Sequence, residues 1–309
     1  MANSARMADR AVEWAEEAVQ MDSTLADKYI LVTGATSGMG KVTAQRLAER
    51  GATVVIVGRN AEKTQATMEE IQQRVPKSAV RSLVADLTSR AQVRALAQAY
   101  RDTYPRLDVL VNNAGGMFGA RQLSSDGLEM TFALNYFAPF LLTGLLLDTL
   151  TMSAPSRIMT VASAQHVGKQ VPFDDLTHDR DYKPLQVYAE SKLMAILFTY
   201  ALARRLEGTQ VTANTLHPGV VATHFGKDAG GIWPAMFTLL APFELSPEKG
   251  AQTALYLASS PDVANVSGQY FVKSKPVRSS EATYDVAAQE RLWTLSEQVT
   301  GLAIPKRTS

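Results

Sequence analysis

The chain has 309 residues, 46% of them hydrophobic and 20% charged, which is typical of a globular protein with a substantial core. Its 31 basic and 30 acidic residues leave a formal charge of +1, so charge gives no reason to expect nucleic acid or an anionic membrane as a partner. The chain has no cysteine, which excludes disulfides and thiolate chemistry, and its four histidines lack metal-ligand spacing, so we expect no metal.

The first 27 residues form a separate segment. Apolar residues recur with helical spacing between Met7 and Met21 on an acidic background, and we interpret residues 1–27 as an N-terminal helical arm. The arm packs on its own domain or on a second subunit; an arm that binds a partner or a membrane surface is the alternative. It does not have the pattern of a signal peptide, and no stretch reaches the roughly 18 consecutive apolar residues of a membrane span. We therefore expect a cytoplasmic protein without a transmembrane segment.

From residue 28 onwards, short β-branched runs alternate with longer segments of helical spacing. We predict strands at residues 29–33, 53–57, 80–85, 109–112, 156–163, 211–216 and 268–272. We predict helices at residues 41–50, 61–75, 89–104, 126–150, 187–207 and 247–259. Strands that alternate with long helices form right-handed crossovers and a parallel sheet covered on both faces. The prediction is one α/β domain over residues 28–309, with a doubly wound sheet of about seven strands.

Three glycines, Gly34, Gly38 and Gly40, lie between the first predicted strand and the first helix. Glycines at this point let the backbone turn tightly and approach a pyrophosphate, which the N–H groups of a helix N-terminus bind. In such a sheet, ligands bind beyond the carboxyl ends of the strands, where the strand order reverses. The pattern predicts a single-domain Rossmann fold that binds a dinucleotide; a purely structural turn is the alternative.

The end of the second strand distinguishes the two nicotinamide cofactors. A carboxylate there would accept hydrogen bonds from the ribose 2′-hydroxyl of NAD and repel a 2′-phosphate. This chain has Gly58, Arg59 and Asn60 instead, with no carboxylate before Glu62. A guanidinium binds a phosphate dianion through two charge-assisted hydrogen bonds, and Ser37 and Asn60 add neutral donors. We predict NADP(H), with a solvated surface arginine as the alternative.

The segment TGATSGMG at residues 33–40 resembles the TGxxxGxG signature of the short-chain dehydrogenase/reductase family, and the resemblance covers nearly all of residues 28–272. Asp86 and Leu87 are similar to that family's adenine-contacting pair, and residues 112–115 (NNAG) to its loop after the fourth strand. Residues 217–223 (HPGVVAT) resemble its Pro-Gly turn at the nicotinamide half. The predicted cofactor-binding residues are Gly34, Thr36, Ser37, Gly38, Met39, Gly40, Arg59, Asn60, Asp86, Leu87, Asn113, Ala114, Gly115, Tyr188, Lys192, Pro218, Gly219, Val221 and Thr223.

Tyr188 and Lys192 form a Tyr-x-x-x-Lys pair on one face of a predicted helix. The pair alone is a weak signal, and the alternative is that both side chains only decorate a helix. Its context strengthens it, because Ser163 ends a predicted strand and Asn135 lies in the preceding helix. Short-chain dehydrogenases carry Asn, Ser, Tyr and Lys in this order. The resemblance therefore implies that the catalytic residues are Asn135, Ser163, Tyr188 and Lys192.

The residue types suit hydride transfer. Reduction of a carbonyl creates an alkoxide that must be protonated, and oxidation of an alcohol removes the same proton. A free tyrosine has a pKa of about 10, and a lysine ammonium about 4 Å away contributes roughly 4 kcal/mol at an effective dielectric of 20. We therefore expect Lys192 to lower the pKa of Tyr188 by about 3. Ser163 is expected to donate to the substrate oxygen, Lys192 to hold the nicotinamide ribose, and Asn135 to order a water.

Two stretches are predicted to shape the substrate pocket: a lid at about residues 220–247, and residues 167–184. Apolar lids usually cover apolar ligands, and a helix pair that closes an internal or subunit contact is the alternative. Residues 171–176 (VPFDDL), 187–198 (VYAESKLMAILF) and 214–225 (NTLHPGVVATHF) resemble the retinol-dehydrogenase-like branch. This implies a lipophilic aldehyde, ketone or alcohol as substrate. A small cytosolic carbonyl compound or a secondary-metabolite ketone is also compatible.

Two histidines lie beside the predicted site. His166 either contacts the substrate or is structural, and His217 is interpreted as structural because Pro218 follows it at a strand end. The rival functions are a non-catalytic NADP(H)-sensing or scaffold protein, and an epimerase or dehydratase of the extended subfamily, which carries a longer C-terminal domain. The resemblance also allows a homodimer or homotetramer, paired through the helices that carry Asn135 and Tyr188.

Overall fold

The computed structural model describes residues 25–76, 79–219 and 245–304. The strands are β1 (Tyr29–Thr33), β2 (Thr53–Gly58), β3 (Ala79–Val84), β4 (Val109–Asn112), β5 (Ser156–Val161), β6 (Val211–His217), β7 (Tyr270–Val272) and β8 (Lys275–Val277). They form one sheet in the order β3-β2-β1-β4-β5-β6-β7-β8, parallel except for the last pair. The order reverses between β1 and β4, so the carboxyl ends of these two strands flank the crevice where ligands of such sheets bind.

The helices are α1 (Gly38–Glu49), α2 (Ala61–Arg74), α3 (Arg90–Thr103), α4 (Met130–Met152), α5 (Pro184–Arg205), α6 (Pro247–Ser259) and α7 (Val286–Thr300). They cover both faces of the sheet, because successive strand side chains point to opposite sides. Leu31 of β1 packs in one apolar cluster with residues of α3, α4, α5 and α7. Its neighbours Ile30 and Val32 pack in a second cluster with α1 and α6. The predicted α/β class and doubly wound sheet are confirmed.

Helix α4 is long and apolar enough for a membrane span by length and composition alone. However, 78% of its most apolar 18-residue window is buried inside the domain, which is the environment of a core helix. Its first turns contain a π-helical segment, Ala133–Phe137, which includes the predicted catalytic Asn135. The helix begins at Met130, later than the predicted residue 126.

The C-terminal part of the fold contains two elements that the sequence did not predict, the eighth strand β8 and helix α7. Strand β8 has three residues, Lys275, Pro276 and Val277, all exposed, so it lacks the apolar alternation that identifies a strand. Helix α7 was also missed, because its buried face combines Leu292 and Trp293 with polar residues.

Two predicted segments lie largely outside the described residues. Of the predicted arm, only residues 25–27 are described, and Leu25 is buried in the cluster beside α1. Of the predicted lid at about residues 220–247, residues 220–244 lie outside, and the helix predicted to follow it is α6, which begins at Pro247.

Candidate active site

The glycine loop after β1 is held against the loop after β4. The Thr33 hydroxyl oxygen accepts hydrogen bonds from the backbone N–H groups of Asn113 and Ala114, both at 3.0 Å. The Asn113 amide Nδ2 donates to the carbonyls of Thr33 at 2.7 Å and Gly34 at 3.2 Å. Thr33 is not among the predicted site residues, although its position directly before Gly34 could have indicated a role in the loop. These bonds fix both loops at the reversal point of the strand order.

The geometry requires glycine at two of the predicted positions. Gly34 has a φ of +65°, and a Cβ there would lie 2.7 Å from the Cα of Ala114. A Cβ at Gly40 would lie 2.3 Å from the Nδ2 of Asn113. Real Cβ atoms do not approach so closely, so a side chain at either position would push the two loops apart. Close packing of the loops therefore explains these two glycines.

The start of α1 fits a dinucleotide phosphate. Helix α1 begins at Gly38, and Ser37 at its N-cap does not use its side chain to cap the helix. By contrast, Asn60 and Ser89 cap α2 and α3 in the usual way. An anion at this N-terminus would meet backbone N–H groups and the positive end of the helix dipole. Met39, in the first turn, is buried against the core.

The end of β2 lies next to the glycine loop. A Cβ at Gly58 would lie 2.4 Å from the Cγ2 of Thr36, and the backbone N–H of Ala35 donates to the carbonyl of Val57. Arg59 follows and is exposed, so its guanidinium is free to meet a ligand bound at the loop. The Asn60 side-chain oxygen accepts the N–H of Lys63 at 2.8 Å, which leaves only its amide N–H groups as donors.

Asp86 and Leu87 lie at the end of β3 with different environments. The Asp86 Oδ1 accepts hydrogen bonds from the Thr88 N–H at 2.9 Å and hydroxyl at 2.8 Å, which fixes the orientation of the carboxylate. Asp86 is half-buried, whereas the Leu87 side chain packs in the core. Contact between Leu87 and a cofactor would therefore involve its backbone more than its side chain.

Ser163, Tyr188 and Lys192 meet beyond the end of β5. Tyr188 is half-buried and its hydroxyl is hydrogen-bonded to Ser163. The Lys192 Nζ lies 5.6 Å from the centroid of the Tyr188 ring and donates to the carbonyl of Val161 at 2.9 Å. The Ser163 oxygen accepts the N–H of Gln165 at 3.3 Å, which leaves its own hydrogen to donate. The three predicted side chains therefore form one cluster.

The expected lowering of the Tyr188 pKa is wrong for the protein chain by itself. Burial raises the pKa of Tyr188 to about 12, and the hydrogen bond with Ser163 opposes this rise. Burial also lowers the pKa of Lys192 to about 8, because the ammonium is 3% exposed. Desolvation is therefore the main cause of both pKa shifts. A neutral phenol beside a cationic lysine is the arrangement of a proton donor.

Asn135 joins this cluster from α4. Its amide Nδ2 donates to the Gly116 carbonyl at 2.9 Å, and its Oδ1 accepts the Gly116 N–H at 2.8 Å. A Cβ at Gly115 would lie 3.2 Å from both the Asn135 Oδ1 and the Lys192 Nζ. Gly115 therefore lies between the amide and the ammonium, and the loop after β4 contacts both predicted catalytic residues.

Ser191 links the two helices and was not predicted as a site residue. Its hydroxyl donates to the backbone carbonyl of Tyr188 at 2.6 Å and accepts a hydrogen bond from the Asn135 Nδ2 at 2.9 Å. It is fully buried, and its place next to Lys192 in the motif was the only available signal. The bond connects the π-helical segment of α4 to the backbone that carries the tyrosine.

Both candidate histidines have structural roles. His166 is 2% exposed; its Nδ1 lies 2.7 Å from the Ser163 carbonyl, and its Nε2 accepts the Ser280 N–H at 3.1 Å. Of the two alternatives for His166, the structural one is favoured, because both ring nitrogens already have protein partners. The Nδ1 of His217 accepts the N–H of Ala164 at 3.4 Å, in agreement with its structural interpretation.

The predicted Pro-Gly turn follows β6. Pro218 and Gly219 are half-buried, and Gly219 has a φ of +87°. A Cβ at Gly219 would lie 2.5 Å from the Leu245 Cδ1, so glycine suits this turn. Val221 and Thr223, also predicted to bind cofactor, lie outside the described residues.

Buried charges anchor the predicted pocket stretch at residues 167–184. The His178 Nε2 lies 2.8 Å from a carboxylate oxygen of Glu190 on α5, and both side chains are 7% exposed. The Tyr182 hydroxyl donates to the carboxylate of Glu129, which is fully buried at the start of α4. Within residues 25–76, 79–219 and 245–304, no three His, Asp or Glu side chains are grouped so that they could hold a metal ion.

The fold and the cluster of Ser163, Tyr188 and Lys192 together indicate the class of protein. A doubly wound sheet with a glycine loop at its reversal point, and a serine, tyrosine and lysine beside it, belongs to a nucleotide-dependent oxidoreductase. Residues 28–230 match the family described as short chain dehydrogenase. The chain belongs to the short-chain dehydrogenase family, in its retinol-dehydrogenase-like branch.

Known proteins of similar sequence support the assignment to the retinol-dehydrogenase-like branch. Human retinol dehydrogenase 13 is 40% identical over 290 residues, which span 92% of this chain and 87% of that protein. Human polyprenol dehydrogenase is 38% identical over 288 residues, with 89% and 86% covered. The chain is also similar to a solved structure of an uncharacterised protein from Mycobacterium paratuberculosis, with a TM-score of 0.75, 32% identity and 91% and 96% of the two chains covered. The Pseudomonas aeruginosa RhlG/NADP complex matches with a TM-score of 0.66, 29% identity, and 82% and 96% covered.

Proposed function

We propose that this oxidoreductase uses NADP(H) and transfers a hydride between the nicotinamide and the carbonyl or alcohol carbon of a lipophilic small molecule. The observation that carries the proposal is the meeting of Ser163, Tyr188 and Lys192 at the end of β5, with Asn135 joined through the loop at Gly115. A protein that only sensed the cofactor would need none of these groups beside each other.

Each side chain has a chemical role in this proposal. The bound nicotinamide supplies or accepts the hydride. Tyr188 donates its phenolic proton to the developing alkoxide in reduction and removes it in oxidation, with its neutral form stabilised by burial. The Ser163 hydroxyl donates a hydrogen bond to the same substrate oxygen. Lys192 supplies positive charge next to the phenol, and Asn135 fixes the loop that contacts the ammonium.

Three observations support NADP(H) over NAD(H). Arg59 is exposed at the end of β2, where a carboxylate would be needed to select the 2′-hydroxyl of NAD. Gly58 packs directly on Thr36, so this strand end adjoins the loop expected to hold the phosphates. The similar structure from Pseudomonas aeruginosa is an NADP complex.

The proposal of a lipophilic substrate rests on the relatives named for retinol and polyprenol, both apolar alcohols. The candidate substrates therefore range from short aldehydes to long-chain enals and ketones.

The experiment is an NADPH-oxidation assay with aldehydes and ketones of graded chain length. We expect kcat/KM to rise with apolar length, because each buried methylene contributes about 0.8 kcal/mol. The Tyr188→Phe variant should lose about 10²- to 10⁴-fold in kcat while its NADPH dissociation constant stays within about threefold of wild type, because only the proton transfer is removed. Turnover by Tyr188→Phe at the wild-type rate would contradict the assigned role.

A cytoplasmic location remains a prediction from the sequence. Subcellular fractionation of the producing cells, followed by immunoblotting, tests it. Recovery of the chain in the membrane fraction after a salt wash would contradict it.

A further inference from the structure

His166 connects the predicted catalytic serine to the C-terminal part of the chain. We propose that His166 is a positioning residue, which holds Ser163 in place for its hydrogen bond to the substrate oxygen. This inference rests on the proposed function of the same site. It assigns a role to a side chain whose ring nitrogens lie against the Ser163 carbonyl and the Ser280 N–H.

The hydrogen-bond network fixes the form of the His166 ring. The Ser163 carbonyl can only accept, so the Nδ1 that lies 2.7 Å away must carry a proton. The Ser280 backbone N–H can only donate, so the Nε2 at 3.1 Å must carry a lone pair. The ring is therefore neutral with its proton on Nδ1. Burial, which lowers the pKa of His166, favours the same neutral form.

At 2.7 Å, the bond from the His166 Nδ1 to the Ser163 carbonyl is shorter than three bonds donated by backbone N–H groups of residues 164–166. Two of these run from the His166 N–H to the Ser163 carbonyl and from the Gln165 N–H to the Ser163 hydroxyl, both at 3.3 Å. The Ala164 N–H reaches the His217 Nδ1 at 3.4 Å. The imidazole therefore restrains the backbone that carries the serine hydroxyl, in addition to the hydrogen bond between that hydroxyl and Tyr188.

The ring itself is held by elements distant in sequence. Its centroid lies 5.3 Å from that of Tyr270 on β7, in an edge-to-face arrangement. Ser280, which donates to Nε2, belongs to the segment between β8 and α7, 114 residues away. Tyr270 is 3% exposed. His166 therefore links the turn that carries Ser163 to β7 and to the segment between β8 and α7.

Two substitutions at position 166 test separately the hydrogen bonds of the ring to Ser163 and to Ser280. In His166→Asn, the side-chain amide places an N–H close to the position of Nδ1, so the bond to the Ser163 carbonyl is kept. In His166→Gln, the amide oxygen reaches the position of Nε2, so the bond to the Ser280 N–H is kept and the bond to Ser163 is lost. We expect His166→Asn to keep kcat within about threefold of wild type. We expect His166→Gln to lose about 10- to 100-fold, because misplacing a catalytic group by about 1 Å can cost 10²-fold.

A matched pair at Ser280 tests the other end of the ring. The φ of Ser280 is −65°, which proline adopts without strain, so Ser280→Pro removes the N–H donor with little change in backbone angle. Ser280→Ala keeps the N–H and removes only a hydroxyl that has no partner among the described residues. We expect Ser280→Pro to lower kcat about 3- to 10-fold and Ser280→Ala to leave it unchanged.

The readouts are kcat and KM for the best carbonyl substrate, the NADPH dissociation constant by fluorescence, and the kinetic isotope effect with deuterated NADPH. For His166→Gln, we expect a lower kcat and a larger isotope effect, with NADPH affinity and thermal midpoint close to those of His166→Asn. Equal kcat values for the two His166 variants would overturn the inference. Loss of NADPH turnover by the wild-type chain on every carbonyl would instead overturn the proposed function, so the two failures are distinguishable.

Discussion

At the scale of single residues, the proposed preference for NADP(H) rests on one exposed side chain, Arg59. Arg59→Ala removes the only guanidinium at the end of β2 while leaving the glycine loop intact. Hydrogen bonds to charged groups contribute about 1.5–3 kcal/mol, so we expect NADPH affinity to fall about 10- to 100-fold and NADH affinity to stay unchanged. Fluorescence titration with both cofactors measures the effect.

Lys275→Ala is the control for Arg59→Ala. It removes the same single positive charge from an exposed position on β8, at the opposite end of the sheet from β2 and β3. We expect its NADPH affinity to equal that of wild type. Equal NADPH and NADH affinities of the wild-type chain would remove the basis for the assignment of Arg59.

The sequence could identify individual site residues only where a local pattern carried the information. Tyr188 and Lys192 lie one helical turn apart, so their proximity could be predicted from spacing alone. The role of His166 could not, because its second partner, Ser280, is 114 residues away and contributes a backbone N–H that any non-proline residue has. The direction of the Tyr188 pKa shift also required the structure, because it depends on how completely the phenol is buried.

At the scale of elements, a buried ion pair attaches the stretch before α5 to the helix that carries Tyr188. Burial lowers the pKa of His178, but the hydrogen bond and charge of Glu190 and the charges of Asp175 and Glu129 outweigh it, so the pKa is raised above its ordinary 6.5. A raised pKa means that the folded chain binds the proton more tightly than the unfolded chain. The stabilisation is complete below pH 6.5 and disappears as the pH rises through the raised pKa.

The His178→Asn variant tests the predicted direction of this pH dependence of stability. His178 has a φ of +48°, and asparagine is one of the few residues that tolerate this region, so the substitution removes the titrating ring without straining the backbone. We expect the difference in free energy of unfolding between wild type and His178→Asn to be largest below pH 6.5 and to shrink above it. Urea unfolding at a series of pH values measures it. A difference that grows with pH would contradict the ion pair, and Glu190→Gln should weaken the same pH dependence, because Asp175 and Glu129 still raise the pKa of His178.

The elements themselves were predictable where hydrophobic periodicity was strong. The strands β1, β2 and β4 are continuous apolar runs buried on both faces, and their predicted bounds differ from the observed ones by at most one residue. The π-helical segment Ala133–Phe137 has no comparable signal, because it shifts the hydrogen bonds by one residue without changing the apolar pattern. Helix starts were displaced by three or four residues at α1 and α4 for the same reason: caps and turns, not periodicity, set them.

At the scale of the whole molecule, α7 covers the helices through which pairing was expected. Trp293 of α7 packs on Phe140 of α4 and Phe198 of α5, with ring centroids 5.2 and 5.9 Å away. The Ser296 hydroxyl lies 2.6 Å from that of Tyr136, the residue after Asn135. The chain therefore supplies from its own C-terminal end the apolar surface that a second subunit would otherwise provide.

This arrangement predicts the assembly state. Every residue of α5 from 189 to 203 is buried within one chain, so this stretch of the helix offers a second copy little exposed surface. Trp293 also stacks on the Arg205 guanidinium at 3.9 Å, which holds α7 in place. We expect a monomer with a mass close to 33.5 kDa in light scattering after size exclusion. Trp293→Ala should lower the free energy of unfolding by about 3–5 kcal/mol, because it empties a packed aromatic site. A wild-type dimer that cross-links through α4 or α5 would contradict this reading of α7.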